Sequence, residues 1–129
     1  MSDTPVDEQM FEFLKGALRS RGELSVVLKG ESMMPLIQPG TNVKIVPVQG
    51  PLRRFDIVVF LQPHKKILIA HYLWHVNHLQ TREGEDIIVT RALNGGAEDF
   101  PVPSSRILGL IAGQRLPLWT RLRLSFGRS

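Results

Sequence analysis

The sequence predicts a single-domain, mainly β protein: a coiled antiparallel sheet or partly open barrel with one N-terminal helix. Its 129 residues are 43% hydrophobic and 22% charged, enough for one substantial core. After residue 22, short runs rich in Val, Ile and Leu alternate with Gly, Pro or Asn breaks, a spacing typical of all-β proteins. Cysteine is absent from the sequence, which excludes a disulfide framework, a thiolate metal site and a cysteine nucleophile.

The helix is predicted over residues 5–21. Thr4 is a suitable N-cap, Pro5 suits the first turn, and Asp7 favours the positive end of the helix dipole. Gly22 is a natural stop, because glycine readily adopts the left-handed conformation that ends helices. The stripe expected to face the core consists of Val6, Met10, Phe13, Leu14, Ala17 and Leu18.

Six strands are predicted after the helix. Each is a short apolar run bounded by turn residues such as Pro39-Gly40 or Gly95-Gly96. They are expected at residues 24–29, 42–48, 55–61, 67–79, 86–90 and 106–112. The chain then divides into a helical segment, a β domain and a basic C-terminal segment, at residues 1–22, 23–113 and 114–129.

The C-terminal segment carries the positive excess of a chain whose formal net charge is +4. Apolar and polar residues alternate over 121–126, which favours a last strand packed on the same domain. The alternative is a peripheral contact with an anionic membrane. That contact would use Arg115, Trp119, Arg121 and Arg123. Nucleic-acid binding through the same arginines is not favoured.

Two features of the sequence bear on its location. Apolar runs stay well short of the roughly 18 residues that a membrane-spanning helix needs. The N-terminus is acidic, the reverse of a secretory signal. We therefore expect a cytoplasmic protein, with peripheral membrane contact as the open alternative.

The string Gly30-Glu31-Ser32-Met33-Met34-Pro35 is the most informative in the chain. A serine in such a tight turn can be presented at the edge of a sheet rather than buried. Serine is a poor nucleophile until a base takes its proton. His71, in the later apolar run, is the candidate base, because imidazole exchanges a proton near neutral pH.

These strings resemble the signal peptidase I and LexA-type clan of serine peptidases. The serine string is followed in the family's order by a Pro-Gly turn, an Asp-Ile-Val-Val-Phe strand, a strand carrying the base, a Thr-Arg motif and an Ile-Leu-Gly box. Here these boxes occupy residues 38–41, 55–60, 67–71, 90–94 and 107–109. The order of the boxes is more specific than any one of them.

The resemblance implies a serine endopeptidase of the histidine-base, signal-peptidase-like branch, acting on a leader, precursor or signal-like peptide without a cofactor. Ser32 would be the nucleophile and His71 the general base. Asp99 matches the second acid that follows the base in the family, so we expect it to orient His71. Leu93 stands at the position of the first acid.

The resemblance also implies how a peptide substrate would be held. Gly30 supplies no side-chain hydroxyl, so the backbone N–H of Ser32 is expected to stabilise the oxyanion. Met33, Met34 and Pro35 are expected to line an apolar groove, although core packing is the alternative for one of the methionines.

The sequence departs from the family pattern in ways that leave a second function open. Tyr72 follows the base where arginine is usual, Phe55 replaces a glycine before Asp56, and Thr41 replaces an aspartate. Activity could therefore be weak or lost. The alternative is a peptide-binding or assembly module that adds an extended peptide to an exposed sheet edge.

A zinc site is the alternative use of three histidines whose spacing would suit a helix. His71, His75 and His78 lie at i, i+4 and i+7. The run 67–76 has strand character, which puts His71 and His75 on one face and His78 on the other. We therefore expect no metal.

Overall fold

The computed structural model describes residues 6–28, 33–34, 36–62, 66–78, 85–95 and 98–126. Within these residues the protein is mainly β, as predicted: one open, seven-stranded antiparallel sheet with two α-helices. In chain order the elements are α1 (Glu8–Arg21), β1 (Leu24–Leu28), β2 (Thr41–Val46), β3 (Asp56–Leu61), β4 (Leu68–Asn77), β5 (Ile87–Arg91), β6 (Val102–Pro103), β7 (Ile107–Arg115) and α2 (Leu118–Phe126). A short 3-10 turn, Ser104–Arg106, joins β6 to β7.

Helix α1 begins later than predicted and ends where predicted. The carboxylate of Asp7 accepts a hydrogen bond from the N–H of Met10 at 2.8 Å, so Asp7 is the N-cap. The prediction of Thr4 as the cap is therefore wrong, and Thr4 and Pro5 themselves lie outside the described residues. Gly22 ends the helix in the left-handed conformation, with φ of 81°.

The buried side of α1 differs from the predicted stripe. Phe11 and Leu18 are buried, and Leu14 packs beside them. Met10 and Phe13 are instead 48% and 69% exposed, so their assignment to the core is wrong. The helix buries the arc that contains positions 11, 14 and 18, spaced i, i+3 and i+7. This orientation of the helix turns Met10 and Phe13 toward solvent.

The sheet has the strand order β1-β2-β7-β3-β4-β5-β6 and separates two apolar clusters. The main core includes Phe11, Leu18, Ile45, Val59 and Tyr72, and is covered by α1. The second cluster comprises Val58, Phe60, Leu73, Ile88, Val102 and Ile107. Alternate residues of β3 serve the two clusters, so this central strand is buried along its whole length.

All six predicted strands are present, with ends displaced by at most three residues. The two-residue strand β6 was not predicted, because so short a segment has no periodicity to detect.

The predicted C-terminal strand is wrong, because residues 118–126 form α2. Pro117 precedes the helix and its carbonyl accepts the N–H of Arg121 at 2.9 Å. Leucine and arginine are also good helix formers, so the alternating pattern was a coincidence of composition. Leu124 packs against the main core. Its burial agrees with the predicted strand as well as with the observed helix. Neither helix of the described chain is long and apolar enough to cross a membrane.

Candidate active site

His71 lies in the middle of β4, with its side chain turned away from the main core. Ala70 and Tyr72, on either side of it, both belong to the main core. Strand alternation therefore turns His71 toward the second cluster, where its ring makes a T-shaped contact with Phe60, with centroids 6.0 Å apart. His71 is buried, and it pairs across the sheet with Val58 of β3.

Asp99 is placed by a local return of the chain along β5. Residues Arg91 and Glu98 form an isolated antiparallel bridge. At the adjoining antiparallel position, the N–H of Asp99, which follows Glu98, donates to the carbonyl of Thr90, which precedes Arg91, at 2.8 Å. Because β5 pairs directly with β4, with Thr90 opposite Leu73, this return brings Asp99 to the His71 side of the sheet.

The two residues are joined by a hydrogen bond between His71 Nδ1 and Asp99 Oδ2. The hydroxyl of Thr90 donates to the same carboxylate oxygen at 2.6 Å. Thr90 is itself fully buried, so its rotamer is held by packing. One carboxylate oxygen therefore receives two donors, and its orientation toward the imidazole is fixed from both sides.

Opposing influences act on the pKa of Asp99. Burial on its own would raise this pKa, because it disfavours the charged carboxylate. The hydrogen bonds from His71 and Thr90, together with the charge of His71, outweigh burial and hold the pKa of Asp99 below its ordinary value. The carboxylate is therefore ionised at neutral pH.

The ionised carboxylate determines which imidazole nitrogen carries the proton. A carboxylate only accepts hydrogen bonds, so Nδ1 of His71 must be the donor. In the neutral imidazole the lone pair is then on Nε2. The arrangement thus prepares Nε2 of His71 to accept a proton from another group.

The remaining residues of the predicted site have different outcomes. Ser32, including its backbone N–H as the oxyanion donor, and Pro35 lie outside the described residues. Met33 is 2% exposed and belongs to the main core, so the groove-lining role expected for it is wrong and the core-packing alternative applies. Met34 is half-buried, so part of its side chain is accessible from outside.

The structure does not bring together the three histidines whose spacing suggested a zinc site. The helical spacing does not apply, since His71 and His75 lie on β4. A register shift between Leu73 and His75 makes Val76, rather than His75, continue the face of His71. His78 instead pairs with Asp86 at 3.3 Å. The described residues contain no group of three potential ligands close enough to hold a metal ion.

Two features beside the pair were missed by sequence reasoning. Thr90 opens the motif at residues 90–94, but nothing in the sequence indicated that its hydroxyl would reach Asp99. A cavity of about 220 Å³ also adjoins Asp99. It is lined by Phe60, Gln62, Ile69, Glu98, Phe100 and Val102, a mixture of apolar walls and polar groups.

Two of the positions that depart from the pattern of the resembling family, Phe55 and Tyr72, belong to an aromatic cluster with Trp74 on the main-core side. Phe55 packs against Tyr72 and Trp74, with both pairs of ring centroids 6.1 Å apart. The guanidinium of Arg91 lies over the Trp74 ring at 4.8 Å and over the Tyr72 ring at 5.9 Å. Tyr72 follows His71 directly, and the guanidinium of Arg91 from the neighbouring strand packs on its ring.

Comparison with known proteins finds no family model that matches this sequence, and no curated protein matches it.

Proposed function

We propose that this protein is a serine endopeptidase of the signal-peptidase-like type, with Ser32 as nucleophile, His71 as general base and Asp99 as the acid that orients the base. The observation that carries the proposal is the hydrogen bond between His71 Nδ1 and Asp99 Oδ2. The resemblance of the sequence pairs these two residues on motif order alone. A specific carboxylate-imidazole contact is what such a catalytic arrangement requires.

The proposed reaction uses the protonation state of the pair. Nε2 of His71 takes the proton of the Ser32 hydroxyl as the serine oxygen attacks the scissile carbonyl. Asp99 stabilises the imidazolium that forms, and the backbone N–H of Ser32 donates to the oxyanion. His71 then gives its proton to the leaving amine. A water molecule, activated by the same nitrogen, releases the acyl group from Ser32.

A substrate peptide has two features to contact near this pair. The cavity beside Asp99 can take a side chain of modest size, with Phe60 and Ile69 as apolar walls. The half-buried side chain of Met34, two residues after Ser32 in the sequence, offers an adaptable apolar surface. We infer an extended peptide rather than a folded protein as the substrate, because the scissile carbonyl must come within bonding reach of the Ser32 hydroxyl.

The test is a cleavage experiment with a broad peptide mixture. Wild-type protein and the variants Ser32→Ala, His71→Ala and Asp99→Asn are incubated with peptides derived from a proteome, and new termini are identified by mass spectrometry. We expect wild type to generate new termini with a shared sequence preference, and each variant to lose them. Glu12→Gln, which removes an exposed carboxylate from α1 and lies outside the cavity beside Asp99, is the control and should cleave like wild type. Equal cleavage by Ser32→Ala, or none by wild type, would overturn the proposal.

A non-catalytic peptide-binding module is the second candidate, and the sheet edge favours it. Strand β1 ends the strand order and, within the described residues, pairs on one side with β2. An extended peptide can hydrogen-bond to such an edge. In this case Ser32→Ala would bind peptides as wild type does, and neither protein would cleave them.

A further inference from the structure

Helix α2 presents an apolar face to the outside of the molecule. Leu118 is 62% exposed, Trp119 is 81% exposed and Leu122 is 41% exposed. At 100° per residue, the three side chains fall within about 100° of the helix circumference. They therefore form one contiguous apolar arc, which we call the outer face of α2.

The opposite side of α2 is attached to the domain. Leu116, just before the helix, is fully buried, and Leu124 packs against the main core. Thr120 and Arg121 are half-buried between these two leucines. A helix on the surface of a globular protein ordinarily turns its apolar stripe inward and its polar residues outward. In α2 these three apolar residues face outward, so packing among the described residues does not explain them.

The charge around this face is of one sign. Residues 112–126 contain three arginines and no acidic residue. Arg123 is exposed and follows Trp119 by four residues, so it lies on the border of the outer face. A surface that combines exposed leucines and a tryptophan with arginines at its border is complementary to the boundary between anionic headgroups and acyl chains.

We propose that α2 binds the surface of an anionic lipid membrane, lying in the interface with Leu118, Trp119 and Leu122 inserted. Tryptophan is favoured at this depth, because its ring is apolar and its N–H needs a polar partner. Arg123 extends its long side chain to the lipid phosphates. Nine residues of helix measure about 14 Å, which suits a helix lying along the surface.

This binding is independent of the proposed peptidase activity and would be reversible. Three inserted side chains and a few arginines give weak affinity, comparable in kind to that of a single lipid anchor. The expected consequence is a domain that concentrates at anionic membranes and leaves them as ionic strength rises.

The experiment measures co-sedimentation with vesicles. Vesicles of phosphatidylcholine alone are compared with vesicles containing roughly 30% phosphatidylglycerol, an anionic lipid. Wild-type protein should partition at least about tenfold more strongly onto the anionic vesicles. The triple variant Leu118→Ser, Trp119→Ser, Leu122→Ser should lose this binding, and Arg123→Gln should weaken it about fivefold.

The matched control is Met10→Ser with Phe13→Ser, which removes two comparably exposed apolar side chains from α1. This control, and Ser32→Ala, should bind like wild type. The proposal is overturned if wild type does not bind anionic vesicles or if the triple variant binds them equally well. It is also overturned if sedimentation velocity shows a dimer that the triple variant abolishes, since the outer face would then bind a second copy of the chain.

Discussion

His71 and Asp99, 28 positions apart in the chain, are hydrogen-bonded through Nδ1 and Oδ2 on one face of the sheet. The contact depends on two pairings: β4 with β5, and the return of the chain that places Asp99 beside Thr90. The imidazole is thereby held in one tautomer, with Nε2 as its basic nitrogen. This tautomer can be tested separately from any activity.

Asp99→Asn is expected to disturb the tautomer of His71 while leaving the fold intact. An amide can donate as well as accept, so Nδ1 of His71 is no longer obliged to carry the proton. Nitrogen chemical shifts from NMR should show Nδ1 protonated in the neutral wild-type imidazole and a mixture of tautomers in the variant. If the proposed peptidase activity is present, kcat should fall by roughly 10³ to 10⁴.

Glu98→Gln controls for the loss of a negative charge in the same segment. Glu98 is exposed, so this variant should keep the wild-type tautomer of His71. A wild-type His71 signal showing Nε2 as the protonated nitrogen would contradict the assigned hydrogen bond.

Thr90→Val is expected to raise the pKa of Asp99 toward its ordinary value. The substitution keeps the buried shape but removes the hydroxyl that donates to Oδ2, a bond that favours the charged carboxylate. Carbon chemical shifts of the Asp99 carboxyl, followed through an acid titration, measure the change directly. Thr90→Ser keeps the donor and should leave the pKa close to that of wild type.

Thr90→Val should also change how the free energy of unfolding depends on pH. In wild type the folded-state pKa of Asp99 lies below the ordinary value of 3.8, so the carboxylate stabilises the fold fully above that value. This contribution is lost as the pH falls through the folded-state pKa. Urea unfolding should therefore show Thr90→Val about 1–3 kcal/mol less stable at pH 6 to 7, with the difference shrinking toward pH 2. A difference that is constant with pH would point to packing alone.

The sequence was a good guide to the strands and to the contact between His71 and Asp99, and a poor guide to the two ends of the chain. The strands were predictable because their apolar runs are bounded by glycine and proline. His71 and Asp99 were paired through motif order, which encodes topology without needing coordinates. Thr90 was missed because a hydroxyl that reaches a carboxylate through a local chain reversal leaves no periodic signal.

The errors at the chain ends have a common physical cause. Helix α1 buries Phe11 where the sequence favoured Met10 and Phe13, and either arc of the helix carries enough apolar residues to be a core face. At α2, alternating leucine and arginine fit a strand as well as they fit a helix. Local pattern leaves such choices open, and tertiary packing decides them.

Gly109→Ala is expected to destabilise the protein strongly. A Cβ at this position of β7 would lie 2.4 Å from the carbonyl oxygen of Val46 and 2.7 Å from Ile45 Cγ2. The first contact is with backbone, so the strands themselves would have to separate. We expect a loss of roughly 1–3 kcal/mol or more, typical of an overpacked core, measured by chemical denaturation.

Gly16→Ala is the opposite case and controls for the alanine side chain. Gly16 lies inside α1, and a Cβ there meets no other atom within 4 Å. This variant should gain about 0.5–1 kcal/mol, because alanine is the better helix former. A stabilising Gly109→Ala would show that β2 and β7 are less closely packed than described.

Phe55→Gly tests whether packing of the aromatic ring outweighs backbone strain at residue 55. The family that the sequence resembles usually has glycine at this position. Phe55 has φ of 76°, in the left-handed region that glycine adopts without penalty. Relief of this strain should return about 1–3 kcal/mol. Loss of the buried ring against Tyr72 and Trp74 should cost about 3–5 kcal/mol.

Lys66 provides the control, since it has φ of 54° but is exposed. Lys66→Gly should therefore raise the unfolding free energy by about 1–2 kcal/mol, because it relieves strain without removing a buried ring. In urea unfolding, Phe55→Gly should be the less stable of the two variants. A Phe55→Gly protein more stable than wild type would mean that the aromatic cluster contributes little to the fold.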